Sequence, residues 1–99
     1  MTARRIVVTG MGVVSPLGVG VDTVWRRLLD GCSGLATLPA EITEGIAAGV
    51  AGVVPTLGPD TPWGFDPASA VEPKDQKKMD RFSVLARAAA QEALAQAGW

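Results

Sequence analysis

From Arg5 to Val14 the chain reads Arg-Ile-Val-Val-Thr-Gly-Met-Gly-Val-Val, apolar at consecutive rather than alternating positions. A β-branched run without alternation predicts a short strand buried on both faces, the kind found in the middle of a sheet. Ser15, Pro16, Gly18 and Gly20 end that run, and helical spacing takes over from Val21 to Asp30. There Val24, Trp25, Leu28 and Leu29 make one broad apolar face, with Arg26, Arg27 and Asp30 directed away from it. Asp22 favours the start of the helix through its dipole, and Gly31 supplies a left-handed terminator just past the end.

Between Cys32 and Pro73 the periodicity lapses. Pro39, Pro55, Pro59, Pro62, Pro67 and Pro73 punctuate the stretch, and only Ala48 to Val54 offers another strand. A run of this length without regular structure is uncommon in a compact small domain, so it reads as connection wrapped over a larger body. Beyond Pro73 the pattern sharpens. Asp80 is a suitable N-cap, and Phe82, Leu85, Ala86, Ala89, Ala93 and Ala97 trace one side of a helix ending at Gly98. Its alanine-rich face buries little area per residue but admits a neighbour at close range.

These elements make an α/β chain whose parts do not add up to a closed body. A two-faced strand needs a strand on each side and cover above and below, yet one weak strand and two good helices accompany it. The parallel partner expected after the second helix would lie beyond Trp99, so the 99 residues are expected to be a fragment, its missing core supplied elsewhere. Taken alone, such a chain would expose sheet edges and apolar faces and tend to aggregate or stay molten.

Composition narrows the function. Nine basic and 10 acidic side chains give a formal net charge of -1, which removes the electrostatic reason to expect nucleic acid. Hydrophobic residues make up 47% of the chain, suiting a soluble domain or part of one. The opening apolar run is too short and too interrupted for a signal or membrane segment, so the expected location is the cytoplasm. One cysteine and no histidine leave no set of ligands for a metal, and no cofactor is expected.

Four features invite chemical readings. Gly10-Met11-Gly12 after a strand resembles the start of a dinucleotide fingerprint, but Ser15 stands in for the third glycine and Pro16 and Gly18 delay the helix. A turn that needs glycine for its backbone is the favoured reading; a small nucleotide-binding module is the alternative. Ser15 lacks both the preceding glycine of a nucleophile elbow and any histidine to take its proton. Cys32 lies at the C-terminal end of the predicted helix, whereas catalytic thiols favour a helix N-terminus or a cationic neighbour, so it reads as a small turn residue. Lys74, Lys77 and Lys78, spaced i, i+3 and i+4, would project from one face as a compact positive patch. Such a patch serves solubility or docks an acidic partner, and Asp75 and Asp80 keep its field local.

Three stretches, in order, resemble the elongating β-ketoacyl-acyl-carrier-protein synthases of the type II system. They are Arg4 through Gly18, Thr23 through Gly34, and Phe65-Asp66-Pro67 leading through Pro73-Lys74-Asp75 to Lys78-Met79-Asp80-Arg81-Phe82. The resemblance covers most of residues 1–99 but only the opening quarter or so of a usual family member. It implies the N-terminal part of a thiolase-like layered αβαβα fold, incomplete in this chain, usually a homodimer whose partner is acyl-carrier protein. It also implies a decarboxylative Claisen condensation using a cysteine nucleophile and two imidazoles. With no histidine present, the catalytic residues are expected downstream of Trp99 and none is assigned here. Lys74, Lys77 and Lys78 match the basic cluster that receives the carrier protein in this family. A polyketide ketosynthase, or a chain-length-factor partner without the cysteine, fits the same segment. A free-standing interaction protein without chemistry is a further alternative, and it would require cooperative folding of the chain by itself.

Overall fold

The structure is a computed structural model that describes residues 3–99. Strand β1 (Val14–Ser15) and strand β2 (Gly18–Val19) form a minimal antiparallel hairpin, Val14 opposite Val19 and Ser15 opposite Gly18. The Ser15 hydroxyl accepts the Leu17 N–H and tightens its turn. Helix α1 (Val21–Leu29) follows at once. Strand β3 (Leu35–Thr37) pairs antiparallel with β4 (Val50–Gly52), the one-turn helix α2 (Ala40–Thr43) lying between them. A 3-10 turn (Pro67–Ser69), the short helix α3 (Pro73–Gln76) and the long helix α4 (Arg81–Ala97) complete the order.

Both long helices stop as their sequences predict. Gly31 takes a φ of 74°, donating to the Leu28 carbonyl while Cys32 donates to that of Arg27. Gly98 repeats the device at a φ of 82°, with Trp99 donating to Leu94. These are Schellman endings, in which glycine takes the left-handed turn that a side chain would resist. Asp80 does stand at the N-cap of α4, but its side chain makes no capping bond there; its carbonyl instead accepts from Ser83 and Val84.

The core is small. Phe65, Ala70, Val71 and Val84 are buried, with Val14, Val19, Val54, Met79, Leu85 and Ala88 packed around them. The accessible surface is 7637 Å², whereas a compact protein of this mass exposes about 5,300 Å². The radius of gyration, 16.7 Å, likewise exceeds the ~12.6 Å of a compact body of this length. The chain is therefore a mixed α/β arrangement that stays open, and a layered αβαβα stack is not formed by the described residues.

Three expectations need correction. The segment Arg5–Val13 joins no ladder: pairing begins only at Val14, and Ile6 is 93% exposed. A ladder needs a neighbouring strand, and none lies beside it, so its backbone turns to α4 for partners. On α1 the apolar stripe Trp25, Leu28 and Leu29 faces outward, while Arg27, expected outside, packs inward with its guanidinium 4.0 Å from the centre of the Trp63 ring. The loop that reaches α1 offers an aromatic face rather than an aliphatic socket, and a cation suits that face. On α4, Phe82 is exposed and Val84 is buried in its stead, because the core lies on the side of the 3-10 turn. The stretch read as connection also contains β3, which the sequence reading missed, beside β4 within the expected Ala48–Val54.

Candidate functional site

Lys74, Lys77 and Lys78 occupy the short bridge between the 3-10 turn and α4. Pro73 opens α3 with its φ already suited to a helix, and Lys77 caps it. Lys78 donates its N–H to the Asp75 carbonyl and Met79 donates to that of Gln76, so the turn continues to the head of α4. All three lysines are exposed, as expected for a docking surface or for a solvated face. The Lys74 ammonium lies 3.4 Å from the Glu72 carboxylate, both side chains over 70% exposed, and such a surface pair is worth little. Among the described residues no ion pair engages Lys77 or Lys78.

The turn is fastened from beneath. Gln76 donates its side-chain N–H to the Val71 carbonyl at 2.9 Å, and Arg87 donates from α4 to the Ala70 carbonyl at 3.0 Å. Ala70 and Val71 belong to the buried core, so the lysines stand on the best-packed part of the chain. Beside them Pro67, Gln76, Met79, Arg81 and Val84 line an open cleft of about 190 Å³.

Gly10 and Gly12 have a structural task. A Cβ on Gly10 would run into the Ala93 carbonyl of α4, and one on Gly12 into that of Ala89. The helix fills the side on which a pyrophosphate would have to approach, which argues against the nucleotide-binding alternative. The close neighbour expected for the alanine-rich face is this glycine segment. Its free N–H groups are met by two side chains that the sequence reading missed. Met11 donates to Gln96 at 2.7 Å, Val13 donates to Glu92 at 3.0 Å, and the second Glu92 oxygen accepts from Val21 at 2.9 Å. Glu92 and Gln96, four residues apart among alanines on one helix, were the available signal.

Ser15 is occupied as a turn acceptor, and Cys32 is a half-buried free thiol in the Schellman ending of α1. No cluster of three potential metal ligands occurs among the described residues, and no helix there is long and apolar enough to cross a membrane.

In the described residues an alanine-faced helix closes over a glycine segment, and a basic turn stands at the head of that helix. Comparison with known proteins identifies the family. Residues 3–99 match the model of the β-ketoacyl synthase N-terminal domain, and the chain belongs to this family. It is 43% identical over 96 residues to 3-oxoacyl-[acyl-carrier-protein] synthase 2 of Rhizobium meliloti, covering 97% of this chain and 23% of that protein. It is 38% identical over 98 residues to the enzyme of the same name from Vibrio cholerae, covering 99% of this chain and 22% of that one. A Streptomyces halstedii protein named as a polyketide beta-ketoacyl synthase 2 is 42% identical over 91 residues, covering 92% and 20%. The chain thus spans between a fifth and a quarter of the length of these relatives.

Proposed function

We propose that residues 1–99 are the N-terminal portion of a 3-oxoacyl-[acyl-carrier-protein] synthase that elongates fatty acids, working as a homodimer in the cytoplasm. In the complete enzyme a cysteine thiolate takes the acyl group from one carrier thioester. Decarboxylation of a malonyl-carrier thioester yields an enolate that attacks the acyl carbon. Carbon dioxide leaves, a 3-oxoacyl-carrier thioester forms and the thiolate is freed. Cys32, in the turn that ends α1, does not fit the nucleophile's role and the 99 residues contain no histidine, so the catalytic residues are assigned outside them.

What this portion contributes is a docking surface. The observation that supports it is the exposure of Lys74, Lys77 and Lys78 on one turn fastened to the core, in a chain matched by the family model from residue 3 onward. Charge reversal at all three (K74E, K77E, K78E) in the full-length synthase is expected to weaken carrier binding at least tenfold and to flatten its salt dependence. Unchanged affinity and an unchanged salt slope in calorimetric titrations would refute the docking role. The 42% identity to the Streptomyces halstedii protein supports a second reading, a polyketide ketosynthase or its cysteine-less partner. Turnover with carriers from the two pathways separates the two.

A further inference from the structure

The turn between α3 and α4 carries only a small surplus of positive charge. From Glu72 to Arg81, Lys74, Lys77, Lys78 and Arg81 stand among Glu72, Asp75 and Asp80. Exposed charges are screened over about 8 Å at physiological ionic strength, so this small surplus steers an acidic partner more than it retains one. Apolar contact on the same surface would add a contribution that salt does not screen.

The same turn carries such a contact. Gln76 and Met79, which flank Lys77 and Lys78 in sequence, line the open cleft together with Pro67, Arg81 and Val84. At about 190 Å³ the space suits one large aliphatic side chain rather than a helix or a cofactor. Met79 contributes a flexible, polarisable surface that adapts to such a guest. Arg81 is exposed and makes no ion pair among the described residues.

Resting on the docking reading above, we propose that this cleft is the apolar anchor of the carrier surface. It takes one aliphatic side chain from the acidic partner segment, while Arg81 acts as a fourth cation and engages a carboxylate beside that side chain. Recognition is then divided: the lysines set the encounter, and the cleft sets the lifetime of the complex.

The test uses the full-length synthase labelled with 13C at its methionine methyl groups, the Met79 signal being assigned through the volume-conserving variant Met79→Leu. On titration with acyl-carrier protein, the Met79 methyl resonance is expected to move in step with saturation. Arg81→Ala should weaken binding by about three- to fivefold at low salt, the loss shrinking as salt is raised. A carrier that saturates the enzyme in a lysine-dependent manner while the Met79 signal stays at its free position overturns the anchor and leaves the lysine surface standing. A carrier whose affinity ignores the three lysines removes the docking reading and this inference with it.

Discussion

Glu92→Ala in the full-length protein should loosen the join between the glycine segment, α1 and α4. The Glu92 carboxylate accepts from Val13 at 3.0 Å and from Val21 at 2.9 Å, and Val21 is the first residue of α1. One side chain thus satisfies an orphan donor at a helix start and a strand-end donor that has no ladder partner. Hydrogen bonds to a charged group contribute about 1.5–3 kcal/mol each. Both sites are half-buried, so water recovers part of that loss, and a total of about 2–3 kcal/mol is expected for the pair. Hydrogen exchange reads it directly. If the two amides exchange through local opening, that loss speeds them by roughly 30- to 150-fold. Met11 donates to Gln96 instead and should change less, which gives an internal reference. Glu92→Gln keeps an acceptor oxygen without the charge and should fall between the two. Exchange at Val13 and Val21 within threefold of the parent rate in Glu92→Ala would show that the carboxylate does not hold the join.

Two further outcomes follow from packing. Gly12→Ala places a methyl against the Ala89 carbonyl, and overpacking of that kind costs about 1–3 kcal/mol; a thermal melt of the full-length variant indistinguishable from the parent would show that α4 does not lie so close. A double-mutant cycle on Arg27→Ala and Trp63→Ala should give a coupling of about 0.5–2 kcal/mol for the stacked pair, and additive losses would mean that the 4.0 Å stack is energetically idle.

Local signals in the sequence survived well. Gly31 and Gly98 end their helices through backbone conformation alone, which depends on no distant partner, and both endings are found where the pattern places them. Faces fared worse. Trp25, Leu28 and Leu29 mark the side of α1 suited to burial in a closed body, but the described residues bring nothing against it, so the stripe stays in solvent. The same holds for Ile6, Val7 and Val8, whose β-branched side chains predict a central strand that has no neighbours to pair with. Strand β3 was illegible because three residues are too few for a period of two to show. The lysine turn was legible as spacing. The cleft beside it was not, because Pro67 and Val84 are brought to Gln76 and Met79 only by the fold.

The meeting of Gly10 and Gly12 with α4 constrains how this segment can change over evolutionary time. When two side chains collide, a second exchange that trims one of them restores the fit. Here the obstacles are the carbonyl oxygens of Ala93 and Ala89, atoms that every amino acid brings with it. No replacement within the helix makes room for a larger residue opposite, so neither position has a compensating partner and each is tied to the path of the backbone itself.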